Sequence, residues 1–180
     1  SLNDNNVFAI CRTAAGDIYI GTGCGLMRYN RQTDSFDIIP ELVGIFVYDI
    51  KEDTSGNLWL ATYVCGVFRY DVSKKEWKNY VHNEKDEKSL SNNKVLSVFE
   101  DSRRNVWLTT QGRGICLFHP ETDNFTRYDT GNGLPNDVVY QIAEDEDGVF
   151  WLTTNNGLAR FDLTSGAVKV YTMANGLPSD

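Results

Sequence analysis

Apolar and polar positions recur along this chain in one fixed frame, four times over. Leu58-Trp59-Leu60 corresponds to Ile18-Tyr19-Ile20, Val106-Trp107-Leu108 and Phe150-Trp151-Leu152. Three residues after each aromatic stands a threonine: Thr22, Thr62, Thr110 and Thr154. A glycine follows at Gly25, Gly66, Gly114 and Gly157, opening an apolar run that ends on Tyr29, Tyr70, Phe118 or Phe161. Twelve residues before each anchor is a valine (Val7, Val47, Val95, Val139), and nine before it Ile10, Ile50, Val98 or Ile142. The anchors lie 40, 48 and 44 residues apart. Self-similarity at that period indicates a solenoid or a propeller.

Each repeat reads as four short strands. Val95–Phe99, Val106–Thr110, Gly114–Phe118 and Phe125–Tyr128 typify them. All are rich in β-branched and aromatic residues and bounded by Gly, Asn, Asp and Ser. Between the first two strands, Asp53-Thr54-Ser55-Gly56-Asn57 and its equivalents at Asp101 and Asp145 are tight-turn sequences. No stretch carries a helical period. The fold expected is an all-β propeller of about four four-stranded antiparallel blades, at 1–41, 42–89, 90–133 and 134–176. Residues 177–180 repeat the Leu134-Pro135-Asn136-Asp137 lead-in as Leu177-Pro178-Ser179-Asp180, so the expectation is a portion of a longer array. Its terminal blade faces would then need covering, by further blades or a second copy. The longest connector, Val81 to Ser89, is polar and reads as a solvated loop.

Composition narrows the partners. A net charge of −8 argues against nucleic acid, whose phosphates are met by lysine and arginine. No apolar run approaches the length of a membrane span, so a membrane link would come only through other segments. The N-terminal residues have no signal-peptide pattern. Cys11, Cys24, Cys65 and Cys116 form no CxxC and no metal-ligand spacing, and read as small part-buried hydrophobes.

Candidate chemistry lies in the loops. A propeller meander brings the loop between the second and third strands and the inter-blade connector to one face. There the framework repeats but the side chains differ between blades, as on a face shaped for a partner. Tyr63, Gln111, Arg113, Asn155 and Asn156 offer an aromatic plane with amide and guanidinium groups, a set suited to an uncharged polar ligand such as a sugar. Catalysis finds little: His119 reads as a turn residue, His82 lies in the long connector, and neither has a nucleophile placed beside it by the repeat. Glu41 and Glu84 are the outlying carboxylates an acid pair would need, and both read as solvated loop charges. The run Glu144-Asp145-Glu146-Asp147-Gly148 is similar to a calcium loop, but Ala143 and Thr154 stand where acidic ligands belong. The sialidase Asp-box fails because Asp stands six residues before the aromatic instead of five. No cofactor and no metal are expected.

The run from Val47 to Asp71, with Glu52-Asp53, Gly56-Asn57-Leu58-Trp59-Leu60, Thr62, Gly66-Val67 and Arg69-Tyr70-Asp71, resembles the two-component regulator propeller repeat. Val139 to Asp162 is nearly as close a copy, and Gly133-Leu134-Pro135-Asn136 matches the lead-in. Departures are Tyr19 for Trp, Arg12-Thr13 for Glu-Asp, and Arg104 for the turn glycine. The resemblance covers essentially the whole chain. It implies part of the periplasmic sensor region of a hybrid histidine kinase, where tandem seven-bladed propellers sense oligosaccharides, usually as dimers. It carries over no ligand residue, because the repeated positions are scaffold. A protein-docking scaffold and a propeller lyase or glycoside hydrolase are the alternatives.

Overall fold

A computed structural model describes residues 2–177. Pro178, Ser179 and Asp180 of the expected lead-in lie outside the described residues. Among these residues sixteen strands form four four-stranded antiparallel sheets. The first is β1 (Val7–Arg12), β2 (Ile18–Thr22), β3 (Gly25–Asn30) and β4 (Ser35–Ile38). The second is β5 (Val47–Glu52), β6 (Leu58–Thr62), β7 (Val67–Asp71) and β8 (Glu76–Tyr80). The third is β9 (Val95–Glu100), β10 (Val106–Thr110), β11 (Ile115–His119) and β12 (Asn124–Tyr128). The fourth is β13 (Val139–Glu144), β14 (Phe150–Thr154), β15 (Gly157–Phe161) and β16 (Val168–Tyr171). Strands pair in sequence order within each sheet, as a meander requires. Short 3₁₀ turns at Pro40–Leu42, Thr130–Asn132 and Met173–Asn175 interrupt the connectors, which the strand pattern did not foretell.

The repeated residues have local duties. Each threonine hydroxyl ending a second strand donates to the carbonyl of the glycine beyond the loop: Thr22 to Gly25 at 3.1 Å, Thr62 to Gly66 at 2.6 Å, Thr110 to Gly114 at 2.8 Å and Thr154 to Gly157 at 3.0 Å. Three of them also accept a loop amide, from Cys24, Cys65 and Asn156. The turn aspartate accepts the indole N–H six residues later: Trp59 to Asp53 at 2.8 Å, Trp107 to Asp101 at 2.9 Å, Trp151 to Asp145 at 3.0 Å. The six-residue spacing is therefore an aspartate–indole clasp. In the first blade Thr13 and Tyr19 replace both partners together, and Thr13 instead accepts the Asp17 amide.

The chain divides into two compact units, Ser1–Val81 with Asn93–Val98, and His82–Asn92 with Phe99–Asp180. In the first, Val47, Ile50, Leu58 and Leu60 of the second sheet pack on Ala9, Leu26 and Leu42. In the other, Val139, Ile142, Phe150 and Leu152 pack on Trp107, Ile115 and Leu134, with Phe150 edge-on to Trp107 at 5.1 Å. Val7 and Ile10 are 47% and 71% exposed, whereas their equivalents Val47 and Ile50 are at 0% and 5%. The first blade thus leaves open an apolar face that the repeat elsewhere buries.

The long connector is more than a solvated loop. Its middle, residues 83–88, is exposed, but Arg127 on β12 donates to the carbonyls of Asp86, Ser89 and Leu90 and to the Ser89 hydroxyl. The Phe125 amide reaches Lys88. A guanidinium that gathers several carbonyls fixes the connector's end against β12.

Candidate functional site

The first strands β1, β5 and β13 carry a β-bulge at one place. The register shifts between Val7 and Ala9, between Val47 and Asp49, and between Val139 and Gln141. The extra residues are Phe8, Tyr48 and Tyr140, exposed at 48%, 39% and 42%. A bulge turns its extra side chain out of the alternation that the neighbouring valine and isoleucine obey. Large aromatics are thereby held in solvent on a rigid strand, where core packing has no use for them.

In the first unit these rings gather. Phe8 lies 4.4 Å from Phe46 and 6.3 Å from Tyr48, nearly parallel to the latter. Phe46 in turn lies 6.1 Å from Tyr48 and 5.7 Å from Tyr63, whose amide donates to the Phe46 carbonyl. The Lys94 ammonium stands 5.2 Å from the centre of the Tyr63 ring. Tyr63, the aromatic expected from sequence, is thus one member of a four-ring platform. Phe8, Phe46 and Tyr48 were missed. The signal for two of them was present: Val47 and Ile50 are buried three apart in a strand whose period is two, which requires an extra residue between them, and Val7 and Ile10 repeat that spacing in the first blade.

The other four expected residues lie in the second unit. Gly112, Arg113 and Gly114 all have positive φ (100°, 72° and 71°), so the loop after β10 is a tight reversal that turns Arg113 outward. Its Nη1 lies 3.2 Å from His82 Nε2, while His82 Nδ1 lies 2.8 Å from the Leu90 carbonyl. A carbonyl only accepts, so Nδ1 carries the proton and Nε2 accepts from the guanidinium. His82 is therefore a support for Arg113. Gln111 pairs by its backbone with Val138, its carbonyl accepts from the Asn92 amide at 3.2 Å, and its buried Oε1 has no hydrogen-bond partner among the described residues. Asn155 Oδ1 accepts from the bulge tyrosine Tyr140 at 2.7 Å, and Asn156 is exposed with its amide on Thr154. Arg113 with His82 and Asn155 with Tyr140 are two local pairs; Tyr63 belongs to the platform of the first unit.

Among the described residues no group of three or more His, Cys, Asp or Glu is placed to hold a metal ion. The acidic run near Asp145 is spent locally: Glu144 accepts from the Ser102 amide and hydroxyl, and Asp145 from the amides of Asp147 and Val149. The four cysteines are free, and Cys116, wholly enclosed, has its thiol pushed above its ordinary pKa by burial. His119 Nε2 contacts the Thr126 hydroxyl across the β11–β12 pair at 2.7 Å, a strand-pair contact. Rings gathered in this way can bind and orient a ligand.

Known proteins share this architecture. The extracellular domain of the hybrid two component system BT3049 of B. thetaiotaomicron superposes with a TM-score of 0.81 at 24% identity, over 95% of this chain and 25% of that one. A streptogramin B lyase superposes at 0.73 and 15% identity, over 99% of this chain and 59% of that one. At these identities the likeness is one of fold. By sequence, histidine kinase P4 of Formosa agariphila is 30% identical over 176 residues, 91% of this chain and 12% of the kinase. The chain thus spans about an eighth of that relative. The family model "Two component regulator propeller" matches residues 1–23, 41–64, 89–112 and 133–156, one segment per blade and more than half of the chain. These β-propeller blades belong to the two-component regulator propeller family.

Proposed function

We propose that this chain is a ligand-binding part of the extracytoplasmic, periplasmic region of a two-component signalling protein, that it recognises an oligosaccharide, and that it signals to an attached histidine kinase. The observation that carries this reading is the platform of Phe8, Phe46, Tyr48 and Tyr63, two of whose rings, Phe8 and Tyr48, are held in solvent by bulges. The face of a pyranose ring bears C–H groups and packs on an aromatic ring, while its edge hydroxyls need donors and acceptors. The Lys94 ammonium, 5.2 Å from the centre of the Tyr63 ring, is such a donor. The family supports a signalling context, and the BT3049 and P4 relatives supply its kinase and extracellular character by analogy. Kinase chemistry belongs to other segments of such a protein, as do further blades or a second copy covering Val7 and Ile10.

A protein-docking role is the second reading, favoured by Val43 and Val64, exposed at 61% and 55%. The two separate in membranes carrying the intact signalling protein. Addition of the cognate oligosaccharide is expected to change phosphate incorporation into the kinase at least threefold, and Tyr48→Ala to remove that response. No change with any of a broad set of glycan oligosaccharides, in a protein that still phosphorylates, would sink the saccharide reading in favour of docking.

A further inference from the structure

The two units pack the same inter-blade seam differently. In the second unit Trp107 and Tyr128 pair at 5.5 Å and close on Phe150, leaving a cavity of about 180 Å³. The other complete copies keep the same indole–tyrosine pair, Trp59 with Tyr80 at 6.2 Å and Trp151 with Tyr171 at 5.6 Å. The first blade has Tyr19 and Ile39 at those two positions, and Leu58 faces them where Phe150 faces Trp107. Three smaller side chains in one seam open a cleft of about 560 Å³ between the first and second blades. Pockets for small ligands run from about 300 to 1,000 Å³.

The cleft has a particular chemistry. Tyr19, Tyr70 and Trp77 form aromatic walls, with Tyr70 and Trp77 5.1 Å apart. Glu41 and Glu76 stand at its margin, opposed in sign by Lys75 and by Arg28, whose Nε and Nη2 are paired with Asp17, leaving Nη1 outside that pair. An anion would face the two carboxylates, a cation the two basic groups, and a wholly apolar ligand would strip water from all four. A neutral polyol with an apolar face meets every requirement, since hydroxyls donate to carboxylates and accept from cations. Resting on the saccharide reading above, we infer that this lateral cleft is a second binding site, taking one neutral pyranose unit stacked against Trp77. It is distinct from the ring platform and is built from repeat positions of two adjoining blades, Tyr19 and Ile39 in the first and Leu58 in the second.

The test is calorimetric and fluorescence titration with methyl β-glucopyranoside, methyl β-galactopyranoside, cellotriose and xylotriose. Wild type, Trp77→Ala, the double variant Tyr19→Trp with Ile39→Tyr, and Tyr48→Ala are compared. The double variant restores the repeat's own filling, so its thermal midpoint is expected to hold or rise while Trp77 quenching is lost and lateral affinity falls at least tenfold. Trp77→Ala is expected to show the same loss. Saccharide binding that persists in full in the double variant and in Trp77→Ala, but disappears in Tyr48→Ala, overturns the lateral site and leaves the platform reading standing. Absence of binding by wild type to all four probes overturns both.

Discussion

Gly114→Ala is expected to lower stability by about 4 kcal/mol, the sum of forcing an L-residue into the left-handed region and of overpacking. Gly114 has φ of +71°, and a Cβ there would lie 1.9 Å from the Tyr128 carbonyl oxygen and 2.9 Å from its carbon. Both are backbone atoms of the strand paired with β11, so nothing flexible can yield. The same approach recurs at Gly66, 2.1 Å from the Tyr80 oxygen, and at Gly157, 2.2 Å from that of Tyr171. Gly166 provides the control, with φ of +70° and nothing within 4 Å of an added Cβ. Gly166→Ala should cost only the conformational part, about 1 kcal/mol. Thermal unfolding separates them: a chain of this size loses about 2–4 °C per kcal/mol, so the midpoint should drop on the order of 10 °C for Gly114→Ala and a few degrees for the control. Equal drops would mean that the close approach is not what the repeat glycine protects.

Asp101→Ala is the second large effect, at about 3 kcal/mol for lost charge-assisted bonds and a buried donor left alone. Asp101 is 7% exposed, its Oδ1 accepting the amides of Arg103 and Asn105 and its Oδ2 accepting Asn105 Nδ2 and Trp107 Nε1. Trp107 is itself 2% exposed, so its indole N–H is largely enclosed when this acceptor is removed. Asp101→Asn keeps one acceptor but turns an N–H₂ toward two donors, and should fall between. Chemical denaturation measures all three. An Ala variant within 0.5 kcal/mol of wild type, roughly the scale of a neutral surface change, would contradict the clasp. Acid acts on the Asp145 clasp and on two turn aspartates. The amides of Val149 and the indole of Trp151 hold Asp145 below the usual carboxylate pKa, and the Ser165 hydroxyl and Thr164 amide do so for Asp162. Asp71, bonded by the Ser73 hydroxyl and the Lys74 amide, is lowered to about 2 from 3.8. Depressed carboxylates stabilise the fold above their unfolded pKa and lose that contribution as pH falls through the folded one. Stability should therefore be level near neutrality and decline below about pH 4 toward pH 2.

The blade frame was legible because each repeated residue answers a local demand. Asp53, Asp101 and Asp145 call for an indole six residues on, and the threonines call for the glycine carbonyl across the loop. Strand existence followed from β-branched and aromatic runs. Less legible were features that depend on other segments. Arg127 holds the Val81–Ser89 connector through backbone carbonyls, which carry no sequence signature. The platform was half visible: Tyr63 stood out as a loop aromatic, whereas Phe8 and Tyr48 were absorbed into a strand reading that overlooked the three-residue spacing. Tyr19 was visible as a departure from the repeat, but the cleft beside it needed Ile39 and Leu58, distant in sequence, to be seen together. The meander places Gln111, Arg113, Asn155 and Asn156 on loops of the same type as that of Tyr63, and their observed contacts are to Asn92, His82, Tyr140 and Thr154.

The most direct test of the account is calorimetric titration of oligosaccharides into the protein and into a Phe8→Ala, Tyr48→Ala double variant, both carrying Trp77→Ala so that only the platform is read. The Phe8 and Tyr48 side chains are exposed, so the fold should survive, as circular dichroism would verify. Truncating an aromatic anchor costs about 2 kcal/mol or more, so the account predicts binding by the protein carrying Trp77→Ala alone and at least a thirtyfold weaker Kd for the variant. Equal affinity in the two proteins, with the fold intact, would contradict it.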